Sequence, residues 1–273
     1  MAEGRASDPA GQPSVRVPTL PGHRPWVARA APHVSQRRAR CGRQPIGWQS
    51  GDAAAGRGEV HVASWVMHLA VAEDLLAALE GPQRTWDRGQ LLLGALAPDA
   101  TSDKTVTHFK GVRYQKSDGA PFRLGQFQRE MGARIASEDN QQASFCAGYL
   151  SHLIADDLAA QWLFFAGVKR AMAEDPAGRA GIYADFDVLN AFVVSRLRDA
   201  AGAVAALREA PLAEAEACPI VDAGRLGEIR RQTLEHLAAP PTGGRTRWLQ
   251  PEDVDAYLER AAVRSQDAMR LWL

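Results

Sequence analysis

The sequence predicts an all-α protein, a multi-helix bundle, and three observations carry that expectation. Apolar residues recur at helical spacing in six or seven segments. Alternating β-branched runs, the mark of strands, are scarce throughout. Clusters of Gly, Pro and Asp punctuate the chain between the periodic segments. With 273 residues, 46% apolar and 23% charged, such a chain can bury a sizeable core without disulfides.

The first periodic segment starts at Ser64, which can cap a helix bearing Val66, Leu69, Ala70, Leu75, Leu76 and Leu79, with Gly81 closing it. A shorter helix is expected from Trp86 to Leu96, stopped by Pro98. Residues 97–121 are polar and irregular, with Gly111, Gly119 and Pro121 as breakers. A loop of that length is usually functional or disordered. Phe122 to Ile135 reads as a helix, and Ser137 or Asp139 can cap the strongest one, Gln141 to about Ala173. Asp175, Pro176 and Gly178 then break the pattern. Three amphipathic segments follow: Asp185 to Glu209, Val221 to Ala238 and Pro251 to Leu271. A Pro-Pro-Thr-Gly-Gly linker separates the last two.

Residues 1–62 differ from the rest. They hold nine arginines against four acids, a net +5 that leaves −5 for the remainder of a chain of zero net charge. Lysine and periodic apolar positions are absent there, so the segment cannot offset its ordering entropy. It is expected to be a disordered basic extension. Two other readings stay open: a basic arm for an anionic partner, and upstream sequence ahead of a translation start near Val62. Residues 63–273 are expected to form the helical domain.

The bulk numbers also restrict function. Zero net charge gives no indication of a nucleic-acid partner. No run reaches the ~18 apolar residues of a membrane span, and no secretory signal is visible. Cys41, Cys146 and Cys218 are odd in number and far apart, which argues against a disulfide framework or a cysteine zinc site. A reducing, cytoplasmic setting is the expectation. Any metal would have to be held by His and carboxylates.

Four stretches hold the residues that carry chemistry: Ser64 to His68, Gly94 to Asp99, Thr107 to Phe109, and Gly148 to Asp157. His152 and Asp156 are four apart, so they share a helix face and could bind one ion from adjacent turns. Their neighbours Tyr149, Leu150, Leu153, Ile154 and Leu158 are apolar, and polar groups buried there need partners. A metal supplies one; a His–Asp hydrogen bond in the core would supply another. His68, Asp99 and His108 each have an ordinary alternative as a core histidine, a turn residue and a surface histidine. Taken together, His and Asp donors suit zinc, and Asp can bridge two ions.

These four motifs, in order from Trp65 to about Phe165, make the chain resemble the bacterial zinc-dependent phospholipase C family, also called the phospholipase C/D domain, whose fold is related to that of the S1/P1 nucleases. The carrying residues are Ser64-Trp65-x-x-His68, Gly94-x-Leu96-Ala97-Pro98-Asp99, Thr107-His108-Phe109 and Gly148-Tyr149-Leu150-x-His152-x-x-x-Asp156. The resemblance implies an all-α hydrolase with zinc in a cleft. By matching positions it implies Asp99, His108, His152 and Asp156 as ligands of one zinc. His68 and Asp156 would serve a second, with Asp156 bridging. The family's third-zinc ligands have no counterpart here: after His152 the only histidine is His236, and Asp157, Asp185 or Asp187 would have to substitute. One or two zinc ions are therefore expected.

Such a site supports phosphoester hydrolysis of the phospholipase C kind, on a lipid or a small molecule, with Asp99 also a candidate to orient or deprotonate the attacking water. Lys110, Arg113 and Tyr114 could contact a phosphate or stand in solvent. The rival expectation is a non-catalytic helical module with a structural or vestigial metal site. The amphipathic C-terminal segments would also allow a homo-oligomer.

Overall fold

The computed structural model describes residues 64–272 apart from 82–83, 102, 110–122, 164–166, 168–169, 172–173, 176–178 and 239–243. The expectations for residues 1–62, for Lys110, Arg113 and Tyr114, and for most of the 240–244 linker lie outside them. Among the described residues the protein is all-helical. Its α-helices are α1 (Trp65–Leu79), α2 (Arg88–Leu96), α3 (Lys104–Thr107), α4 (Leu124–Ile135), α5 (Asn140–Leu158), α6 (Arg179–Arg196), α7 (Ala200–Glu209), α8 (Ala213–Glu216), α9 (Ala223–Ala238) and α10 (Pro251–Met269). None is long and apolar enough to cross a membrane.

The core is built around α2 and α5. Leu91, Leu92, Leu93, Ala95 and Leu96 are all fully buried, so α2 is apolar on every side, as an interior helix must be. Helix α5 is buried from Ala143 through Ala155. The two helices meet at glycines. A Cβ on Gly94 would lie 2.0 Å from the carbonyl oxygen of Phe145, and one on Gly148 would lie 1.9 Å from that of Leu91. Only residues without a side chain let the backbones approach so closely. Helices α1, α4 and α10 pack around α5, and α7 lies against α2. The Tyr257 hydroxyl of α10 donates to the Ala155 carbonyl on α5 at 3.2 Å.

Local signals set most helix starts. Ser64 caps α1, its hydroxyl accepting from the Met67 N–H. Asp87 caps α2. Asp139 caps α5, accepting from Gln141 and Gln142, while Ser137 instead binds the Asp139 N–H. Helix α10 opens with Pro251 behind a Gln250–Asp253 capping box. Arg88 ties three elements together, reaching both oxygens of Glu73 on α1 at 2.7 Å and Asp199 ahead of α7 at 2.8 Å.

Three expectations need correction. The helix count exceeds six or seven, because short helices α3 and α8 punctuate connections that carry too few residues to show a period. Asp185 to Glu209 is not one helix. Asp199 accepts the Gly202 N–H and starts α7 afresh, so the chain turns at Leu197–Asp199. The helix from 140 is regular only to Leu158, after which Ala159–Leu163 form a wider π-helical turn. Such turns tend to occur beside functional sites.

Asp185 plays a different part from the metal-ligand substitute considered above. Its buried carboxylate accepts the backbone N–H groups of Arg247, Trp248 and Leu249 at 2.9, 2.6 and 2.9 Å, pinning the approach to α10 onto α6. Asp187 is exposed. Asp185→Ala would strand three donors, and about 2–3 kcal/mol of destabilisation is expected in urea unfolding. An unchanged midpoint would refute this role.

Cys146 and Cys218 are free and buried. Burial pushes the Cys146 thiol up to about 12, despite the nearby Arg134. At pH 8 it therefore stays protonated and should resist iodoacetamide in the native protein, reacting only once the chain is unfolded. Peptide mapping after native and denatured labelling checks this.

Candidate metal centre

Each candidate ligand is placed by a short local structure. His68 lies in the first turn of α1, just past the Ser64 cap, and is buried. Asp99 ends a 3-10 turn, Ala97–Asp99, that continues α2 through Pro98, so the proline redirects the helix rather than simply ending it. His108 caps the C-terminal end of α3. His152 and Asp156 occupy one face of α5, as their spacing predicts.

The side chains converge. His152 Nε2 is 3.3 Å from His108 Nε2 and 3.7 Å from Asp156 Oδ2. His108 Nε2 is 3.2 Å from Asp156 Oδ2 and 3.7 Å from Asp99 Oδ1. His68 Nε2 is 3.5 Å from Asp156 Oδ1, and its ring stacks on that of His152 with centroids 3.7 Å apart and planes 11° from parallel. Two triads, His68–Asp99–His152 and His108–His152–Asp156, each bring their ligand atoms within 4.8 Å of one another. All five candidate residues thus meet, with Asp156 touching all three histidines.

The supporting contacts fix how these groups point. His152 Nδ1 donates to the Ala95 carbonyl at 2.7 Å, which leaves the Nε2 lone pair facing the cluster. Burial first, then the neighbouring His68, lowers the His152 pKa to about 3, so the ring is neutral at physiological pH. For Asp156, burial opposes ionisation. A hydrogen bond from His108 and the electrostatic interaction with the His152, His68 and His108 rings outweigh it and hold the carboxyl well below its usual range. Thr107 bonds the His108 ring at 3.1 Å, and the buried Tyr149 hydroxyl donates to the Thr107 carbonyl at 2.7 Å. Phe109 has φ 51°, a conformation that costs a bulky residue energy. Its fully buried ring is locked against Phe127 and Tyr149, which holds His108 turned inward.

Asp99 is held from two sides that sequence reasoning did not assign. The Trp65 indole N–H donates to Oδ2 at 3.1 Å, and the Lys104 ammonium contacts Oδ1 at 2.7 Å. Trp65 belongs to the first motif, which named it without giving it a part in the site. Lys104 carried one faint signal, its spacing of four from His108.

The donor set fits a divalent cation. His152 Nε2, Asp156 Oδ2 and Asp99 Oδ1 all face His108 Nε2, and the one proton that nitrogen can carry cannot serve three acceptors. Four ligands at about 2.0–2.2 Å from one zinc stand about 3.3–3.6 Å apart, and most of the separations above lie in or near that range. Nitrogen and oxygen donors without thiolate suit zinc among the first-row metals.

Among the described residues this is an all-helical bundle with a buried His/Asp cluster, drawn from several helices, that could hold a metal ion. More narrowly, residues 67–158 match the family model described as zinc dependent phospholipase C, and that stretch is a zinc-dependent phospholipase C family domain. The match begins just ahead of His68, ends just after Asp156 and Asp157, and so encloses the whole cluster. The family implies a hydrolase of the phospholipase C type and a phospholipid substrate class. No curated protein and no solved structure matches the chain.

Proposed function

We propose that residues 63–273 form a zinc-dependent hydrolase of phosphoesters, phospholipase C-like, with His68, Asp99, His108, His152 and Asp156 as its metal ligands. The observation that carries this reading is the meeting of those five side chains, from α1, the turn after α2, α3 and α5, in two groups of three that share His152. When bound, zinc supplies Lewis acidity toward a phosphoryl oxygen and brings the pKa of water near neutrality.

The chain's own residues do the rest. His152, fixed by the Ala95 carbonyl, offers a neutral imidazole in one orientation. Asp156 spans the three histidines and is the natural bridge should two ions bind. Asp99, gripped by Trp65, orients the attacking water and accepts its proton as the new P–O bond forms. The P–O bond to the leaving alcohol then breaks, and that oxygen takes up the proton held on Asp99, which returns to the carboxylate. His68, Asp99, His108 and His152 are themselves buried, which limits the access of bulk water to them. The free, buried thiols of Cys146 and Cys218 support a reducing, cytoplasmic setting, which cell fractionation would test.

One observation favours the rival reading of a structural module. Asp99 is already ion-paired with Lys104, so part of the cluster is neutralised by protein groups alone. The test is zinc content of the purified protein, followed by hydrolysis of bis-p-nitrophenyl phosphate and a phosphatidylcholine analogue. Bound zinc, with activity lost to a chelator and restored by zinc, is expected. No zinc and no thermal shift on adding it would sink the metalloenzyme. Bound zinc with background rates would leave the structural module standing.

A further inference from the structure

The charges around the cluster restrict how many ions it takes. Among the described residues its carboxylates are Asp99 and Asp156, and its imidazoles are neutral donors when they bind metal. One divalent ion already balances the two carboxylates. Lys104 adds a further positive charge at the same place. Its ammonium lies 2.7 Å from Asp99 Oδ1, the oxygen that also faces His108 Nε2 at 3.7 Å, and the side chain is only 18% exposed. The lysine is not a loose surface group that happens to reach in. Helix α3 carries both Lys104 and, one turn on, His108, whose N–H bonds the Lys104 carbonyl at 3.0 Å. Asp103 caps that helix through the Thr105 N–H and hydroxyl, and Tyr149 anchors its far end at Thr107. The segment that delivers a ligand therefore delivers the ammonium too.

We propose that Lys104 serves as the second cation of this centre, so that the site takes a single zinc ion and presents an ammonium group beside it. A second divalent ion would raise the local positive charge to five against two carboxylates in a buried setting, where uncompensated charge is costly. The ammonium does there what a second metal does elsewhere: it neutralises Asp99 and stands ready to pair with a phosphoryl oxygen of the substrate. This inference rests on the zinc reading above and deepens it.

The experiment counts zinc on the full chain by mass spectrometry after loading and desalting, and measures zinc affinity by competition with a chromophoric chelator. Wild type is expected to hold one ion. Lys104→Met removes the repelling charge and should bind zinc on the order of tenfold more tightly, or accept a second ion. Lys104→Arg keeps the charge and should return wild-type stoichiometry and affinity, which a lysine serving only packing would not require. Circular dichroism establishes that each variant is folded; should Lys104→Met fail to fold, Lys104→Gln takes its place. Two ions on the wild type would overturn the proposal, as would unchanged or weaker zinc binding by the charge-neutral variant. No zinc on any variant would instead remove the metalloenzyme reading itself, an outcome distinct from either.

Discussion

Replacing His152 with alanine is expected to abolish zinc retention and to reduce phosphoester hydrolysis by about a thousandfold or more, since a lost metal forfeits several kcal/mol of transition-state stabilisation. The ring is fully buried, fixed by the Ala95 carbonyl and stacked on His68, so no other side chain can take its place by a small shift. Truncation also leaves a cavity in α5, so lowered stability alone would be a trivial explanation. His152→Gln separates the two effects because it fills most of the space yet lacks the imidazole nitrogen. Both variants should lose zinc, and the glutamine variant should remain the better folded. Wild-type zinc content in either one would remove His152 from the ligand set.

The largest effect on stability is expected from Gly148→Ala. The added methyl would stand 1.9 Å from the Leu91 carbonyl oxygen and 2.9 Å from the Ala95 nitrogen, both backbone atoms of α2. A backbone cannot rotate aside as a side chain can, so α2 and α5 must separate along their length. The cost should exceed about 4 kcal/mol, in the range reserved for severe overpacking. Separation would also pull Ala95 from His152, so zinc affinity should fall along with the unfolding midpoint. Gly94→Ala, facing Phe145 across the same crossing, should behave alike. Gly125→Ala is the control: it lies on the exposed side of α4 with its nearest neighbour at 3.9 Å, and should stabilise by about 0.5–1 kcal/mol. A Gly148→Ala protein of wild-type stability would show that the crossing is looser than described.

The two glycines explain why the site was legible in the sequence. Gly94 and Gly148 sit in the same short motifs as Asp99 and His152 because the helix crossing and the donor geometry are one requirement. The four-residue step from His152 to Asp156 needed nothing beyond helical periodicity. The Ser64 cap was equally plain, and the cap of α5 was narrowed to Ser137 or Asp139, since a cap acts on atoms two or three residues away. What stayed hidden depends on partners distant in the chain. Lys104 and Trp65 acquire their part only when Asp99 arrives between them. Asp185 resembled a spare ligand, yet its partners are backbone groups some sixty residues downstream, which leave no side-chain signal. The break before α7 was masked because apolar spacing continues through Leu197 and Ala200 while Asp199 caps a new helix within it.

The bond from Tyr257 to the Ala155 carbonyl has a consequence in time. All five donors lie between residues 68 and 156, whereas α10, which braces α5 just beside Asp156, follows them by about a hundred residues. During synthesis the donors therefore emerge well before this brace does. In that interval α5 lacks the contact at Ala155 that later holds its Asp156 end. The order of synthesis thus makes the docking of α10 a late step in fixing the geometry of the cluster.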